Sequence, residues 1–264
     1  MEIEKEVENF KDVIRADYKK WLDEKPLMKK DIRVYVDALY QGYLDACRTF
    51  KWSSESKVKK CKNDVDKREK IKKICEGEKP SGCAYQIREY LTKDNSIDFN
   101  EKHVELCKSL HENFKKNGVM VSYGQAQKIV NMAFKYLYCC KLDDKMRERF
   151  KACHMPLDSF SLEWFKRCFK EEDFFDKDYF TKLPDKLFKK VDGEKLLLKA
   201  ESIGSWSSIK TLSENETEEM IRYPYEFYRD VIKKYCEEYN EKEVKREIYP
   251  LQLDFIVWPK MQKI

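Results

Sequence analysis

The chain has 264 residues, with 54 Lys or Arg against 49 Asp or Glu, so a net charge of +5 sits on a dense polyampholyte. That length buries a sizeable core without metals or disulfides, and the charge balance excludes a strongly basic protein. Only seven Gly and seven Pro occur; strand-type alternation is scarce and Lys, Glu, Leu and Tyr abound, which predicts an all-α, multi-helix globular fold. The start MEIEKEVENF lacks an apolar signal region, and no run is long enough for a membrane span. The ten cysteines are therefore expected as reduced thiols in the cytoplasm. No CxxC pair exists, so no metal is expected.

Taken in order, Ile3, Val7, Phe10, Val13, Ile14 and Trp21 predict a helix over 2–23, stopped by Pro26. Ile32, Tyr35, Val36, Leu39, Tyr43 and Cys47 predict a second over 29–50, and the two are expected to form a helical hairpin. Residues 51–75 carry ten basic side chains against four acidic ones. This stretch reads as a solvated helix face or arm, with Lys57, Lys59, Lys60 and Lys62 as candidate nucleic-acid contacts. GEKPSG at 77–82 is a turn cluster, and the organisation expected is an N-terminal unit 1–98 followed by a helical core domain 99–264. Short helix 83–92 precedes helix 100–116, whose Val104, Cys107, Leu110 and Phe114 face inward. His103 and His111 flank that face and read as surface or capping residues.

The segment 122–141, SYGQAQKIVNMAFKYLYCC and one residue more, is the central helix, opened by a capping box of Ser122 and Gln125. Its apolar arc predicts deep burial, yet Gly124, Gln127, Lys128, Asn131 and Lys135 form a polar stripe that must face water, a groove or an internal partner. The stripe is expected to face Asp158 and His154. Downstream, Pro156 disfavours helix across His154 and Met155, and Asp158 or Ser159 caps the next helix. Phe174, Phe175, Tyr179 and Phe180 form an aromatic cluster, and SIGSWSSI at 202–209 reads as loop. A helix over 214–239, interrupted at Pro224, and a final helix opened by Pro250 complete the chain.

Gly124-Gln125-Ala126-Gln127-Lys128-Ile129-Val130-Asn131, followed by Pro156-Leu157-Asp158, resembles the helix-hairpin-helix DNA glycosylases over residues 122–164. The resemblance implies a base-excision glycosylase/lyase, in which Lys128 attacks the sugar C1′ and Asp158 activates it or steadies the cationic centre. His154, four residues before Asp158, is a candidate acid, base or hydrogen-bond donor in the same site. Gln127, Asn131, Lys135 and Trp206 are candidate substrate-binding residues, since an extruded base needs polar readers and an aromatic wall. No cysteine quartet for an iron-sulfur cluster is present, so no cofactor is expected.

Two alternatives stand beside this reading. Arg149 and His154 resemble the R-x4-H pattern of HEPN ribonucleases, which act on RNA phosphodiesters. The other is a non-catalytic helical nucleic-acid-binding or protein-interaction module, with 51–75 as electrostatic contact and the Lys128 stripe as an internal hydrogen-bond network. Nucleic acid, DNA first, is the expected partner, and no membrane is expected.

Overall fold

A computed structural model describes residues 3–23, 25–27, 30–93, 97–168, 188–191, 194–197, 205–211, 224–242 and 247–262. In chain order its helices are α1 (Ile3–Val13), α2 (Ala16–Lys19), α3 (Arg33–Ala46), α4 (Asp64–Glu76), α5 (Cys83–Thr92), α6 (Phe99–Lys116) and α7 (Tyr123–Tyr138). They continue with α8 (Asp144–Lys151), α9 (Ser159–Cys168), α10 (Tyr225–Lys242) and α11 (Pro250–Met261). The fold is all-α. The one departure among the described residues is a two-stranded antiparallel hairpin, β1 (Phe188–Val191) with β2 (Glu194–Leu197), in register Phe188 to Leu197.

Side-chain oxygens satisfy orphan N–H groups at several helix starts. Asn63 accepts from Asp66 N at α4, Asp98 from Asn100 N at α6, and Asp143 from Met146 N at α8. Ser122 and Gln125 form the expected reciprocal capping box at α7. Pro250 occupies the first turn of α11, where no N–H is needed.

The heart of the molecule is α3 laid against α7. Gly42 makes this approach possible, because a Cβ there would lie 2.4 Å from the Ile129 carbonyl oxygen. With the backbones so close, Leu39, Val34, Ile129, Val130 and Leu137 lose all contact with water, each contributing roughly 1.5–3 kcal/mol. Residues of the segment read as an N-terminal unit, Val34 to Ala46, and of the segment read as the core domain, Ala126 to Leu137, thus lie in one core. A smaller core is built from Met155, Leu157, α9, α10 and one face of α11. Leu251 and Phe255 of α11 face the first core while Leu253, Ile256 and Val257 face the second, so this helix is apolar nearly all round.

The first predicted helix is not continuous: Arg15 is extended (φ −59°, ψ 141°) and separates α1 from α2. The break lets Ile14 and Tyr18 both reach the core while Arg15 turns to Asp45, Gln41 and Tyr136. Nor do the first two predicted helices form a simple hairpin, since α1 packs chiefly on α11 and only α2 leans on α3. The second helix is shorter than expected, ending at Ala46 in a 3-10 turn to Thr49. Helix α10 begins immediately after Pro224; the part of its predicted span before that proline, and the aromatic cluster at 174–180, lie outside the described residues.

Candidate functional site

The polar stripe of α7 is buried along its whole length. At its start the segment 205–209 crosses the helix end, with Gly124 N–H donating to Ile209 O (3.0 Å) and the Ser122 hydroxyl to Ser207 O. Only glycine fits there, because a Cβ on residue 124 would stand 2.1 Å from the Trp206 carbonyl oxygen. The crossing lays the Trp206 indole over the Lys128 ammonium, 4.5 Å from Nζ to the ring centre.

Lys128 Nζ lies 3.3 Å from Asp158 Oδ2, and both residues are buried. The other carboxylate oxygen, Oδ1, accepts from Phe160 N and Ser161 N and so caps α9. An amine beside a carboxylate that takes up its proton is the basic unit of lysine nucleophilic catalysis, and it is equally an ion pair tying two helix starts together.

Gln127 pairs both ways with one peptide unit, its Nε2 donating to Leu157 O (2.8 Å) and its Oε1 accepting from Leu157 N (3.2 Å). Asn131 Nδ2 reaches Gln127 Oε1, Met155 O and the Tyr225 hydroxyl at 3.0–3.3 Å. Of the two residues the stripe is expected to face, Asp158 meets Lys128, but no hydrogen bond among the described residues joins the stripe to His154; Gln127 is taken up by Leu157 and Asn131 by Gln127, Met155 O and Tyr225. Lys135 departs further. Its ammonium is fully buried, 2.6 Å from Asp254 Oδ2 and boxed by the rings of Phe10, Phe255 and Trp258 at 4.2, 4.7 and 5.4 Å. Burial drives the Asp254 carboxyl above its ordinary range against the pull of Lys135. A residue offered for substrate binding thus holds α7 to α11.

His154 is buried as well, and no hydrogen bond among the described residues joins it to Lys128 or Asp158. It accepts at Nδ1 from the Tyr225 hydroxyl (3.0 Å) and donates from Nε2 to Asn100 Oδ1 (3.0 Å). This assignment follows from Asn100, whose amino group donates to both Asp98 oxygens and leaves Oδ1 as the acceptor. His103, expected at the surface, is fully buried, stacked on Tyr225 with ring centres 5.1 Å apart. Its Nδ1 meets the Tyr123 hydroxyl (3.1 Å) and its Nε2 the Tyr225 hydroxyl (3.4 Å). Burial lowers both imidazoles, His103 to about 3 and His154 well below its ordinary value, with Arg229 adding to the effect on each. His111 instead sits half-exposed at the Val121 carbonyl.

The other proposed pair, Arg149 and His154, does not converge. Arg149 donates to Lys93 O and lies over the Tyr90 ring, while both nitrogens of His154 are engaged by Tyr225 and Asn100.

The basic stretch is held firmly. Lys72 of α4 pairs with Asp37 of α3 at 2.6 Å, and the loop before α4 is sewn to the α6–α7 connection. Trp52 bridges Val119, Ser53 N donates to Gly118 O (2.9 Å), and the Ser56 hydroxyl donates to Asn117 O (3.0 Å). This seam brings the segment that carries Lys51 and Lys57 against the residues that follow Lys115 and Lys116 at the end of α6, and Lys59, Lys60 and Lys62 continue it toward α4; all seven lysines are exposed. Among the described residues none of them has a carboxylate within 4.0 Å, although the exposed acids Glu55, Asp64, Asp66 and Glu112 lie near them in sequence, and Asp66 and Glu69 line one groove with Lys60 and Lys62. Met120, 62% exposed, stands at the same seam.

Sequence reasoning missed Tyr225, Asp254, Lys115 and Lys116. His103 left a signal, since Leu106, Cys107 and Leu110 follow it at three, four and seven residues and mark the buried face. Among the described residues no three His, Cys, Asp or Glu side chains converge as a metal site, and no helix is long and apolar enough to cross a membrane. No family model matches the chain, and no curated protein or solved structure is similar to it.

Proposed function

We propose that this chain is a helical nucleic-acid-binding protein whose contact surface is the lysine seam. The observation that carries the reading is the approach of two lysine-bearing segments, 51–62 and 115–116, at the Trp52–Val119 bridge, their lysines exposed and with no carboxylate within 4.0 Å among the described residues. Unpaired ammonium groups on a fixed support displace counterions from a polyphosphate, and that release drives binding without base readout. The buried stripe of α7 serves this function as an internal network that holds the scaffold rigid.

The test is fluorescence anisotropy with duplex DNA, single-stranded DNA and RNA of equal length at about 50 to 200 mM salt. Log affinity should fall linearly with log salt. Replacing Lys57, Lys59, Lys60 and Lys62 with Glu should flatten that slope by about 3 and weaken all three ligands together. Binding that ignores salt, or survives the fourfold change, overturns the reading.

A second reading, lysine-dependent DNA glycosylase/lyase, is supported by the 3.3 Å approach of Lys128 to Asp158. In it Asp158 takes the ammonium proton, Nζ bonds to the sugar C1′, and the base departs with the bonding electron pair. Borohydride reduction on abasic DNA would trap the resulting Schiff base as a covalent adduct that Lys128→Gln abolishes. No adduct in the unaltered protein removes this reading and leaves the first intact.

A further inference from the structure

Away from the seam, a cavity of about 370 Å³ opens between the start of α6, the end of α8, α10 and the start of α11. That volume lies within the range of small-molecule sites. Phe99, Tyr249 and Pro250 supply its apolar wall, and the buried His154 and half-buried Asn100 line it as well.

Three acids and three bases line it, but they are not all paired with one another. Lys151 is paired with Glu148 at 2.7 Å, and Lys233 with Glu237 at 3.7 Å. Asp98 is committed to capping α6 through Asn100. Arg229 is different: its side chain is only 22% exposed, and the carboxylate within 4.0 Å of it among the described residues, Asp230, accepts from Nε and lies outside the cavity wall. No acceptor among the described residues takes the two terminal amino groups of this guanidinium. A half-buried planar fork whose four terminal N–H bonds meet no acceptor among the described residues suits two acceptor oxygens on one atom. The fixed floor favours a preformed site, since His154 is locked between Tyr225 and Asn100 and cannot rotate to fill the space.

We infer that this cavity binds a small organic anion, a carboxylate or phosphate monoester, by its oxygens on Arg229 and its apolar body against Phe99, Tyr249 and Pro250. Lys233 at the exposed rim adds a second, weaker cationic contact. The site is independent of the lysine seam and of Lys128.

Titration calorimetry of the full chain with benzoate, phenyl phosphate and inorganic phosphate tests the inference. Benzoate or phenyl phosphate should bind better than inorganic phosphate, because only they fill the apolar wall; whichever of the two binds tighter identifies the anionic group. Arg229→Gln should weaken the better probe about ten- to hundredfold, whereas glutamates at Lys57, Lys59, Lys60 and Lys62 should leave it unchanged. Lys233→Gln, at an exposed position that does not threaten folding, should weaken it severalfold. Heat from none of the three probes, affinity unaltered in both the Arg229 and Lys233 variants, or loss of binding in the seam variant alone overturns the inference.

Discussion

Lys135 and Lys60 carry the same ammonium group, yet one is sealed against Asp254 and three aromatic rings while the other is exposed, with no carboxylate within 4.0 Å among the described residues. The difference lies in what each can exchange for its hydration. Lys135 has traded water for one short ion pair and the faces of three rings, so its charge is spent inside the protein. The seam lysines keep their water and their charge, and together they project a field that a polyanion can answer. Lys128 stands between these cases, buried beside Asp158 at 3.3 Å and covered by Trp206, which is why its pairing supports a catalytic reading as well as a scaffolding one.

The sharpest way to break this contrast is Lys135→Met. It strands the Asp254 carboxylate in the core and should cost about 3–5 kcal/mol in urea unfolding. Adding Asp254→Leu should recover most of that loss, because the partner charge is then gone too. A single variant as stable as the unaltered chain would remove the pair from the scaffold.

Acid tests the same interior from another side. His103 and His154 are neutral in the fold because burial lowers them, whereas the unfolded chain protonates each near its ordinary value of about 6.5. Stability is therefore full above that value and declines as pH falls through it, by about 1.4 kcal/mol per histidine per pH unit. Tyr123, Tyr225, Cys107, Arg229 and Lys233 are the groups that face the two rings. Urea midpoints should hold from pH 7.5 to about 6.5 and then drop toward pH 5.5, and His154→Gln should halve the slope of that drop; a flat profile would mean that the rings reach water.

Gly124→Ala is a gentler probe. The new methyl must displace the Trp206 carbonyl, an overpacking cost of about 1–3 kcal/mol. No loss of thermal stability would show that segment 205–209 yields freely. Smallest of all, the fourfold glutamate change in the seam should leave folding stability within about 0.5 kcal/mol, since nothing is buried or unpaired by it. Unfolding should thus separate Lys135 from the seam by several kcal/mol, while polyanion binding reverses their order.

Local signals in the sequence proved readable where a helix end or one apolar face decides the matter. Ser122 with Gln125, Asp158 with Ser161 and Pro250 announce helix starts that the structure contains. The stripe on α7 is expected to face Asp158 and His154, and Lys128 does meet Asp158 while His154 turns to Tyr225 and Asn100; an amphipathic helix with long polar groups on its buried side needs internal partners. What could not be read is which distant element supplies each partner. Asp254 lies 119 residues from Lys135 and Tyr225 lies 94 from Asn131, and neither spacing leaves a trace in a one-dimensional pattern. The seam was hidden for the same reason. Lys115 and Lys116 read as ordinary basic residues ending α6, which they also are, until Val119 meets Trp52.

The distance between Lys135 and Asp254 also sets an order for biosynthesis. A nascent chain that has emerged only through α7 and α8 already holds Lys135, Phe10 and the α3–α7 pair, but not the carboxylate or the Phe255 and Trp258 rings. The ammonium must then keep its water, so the box around it cannot dry and close. Synthesis past Asp254 removes that obstacle in one step, and α11 inserts between the two cores when their other walls are already made. A ribosome stalled before that residue would display an α3–α7 pair whose far end is still wet, a natural target for chaperones.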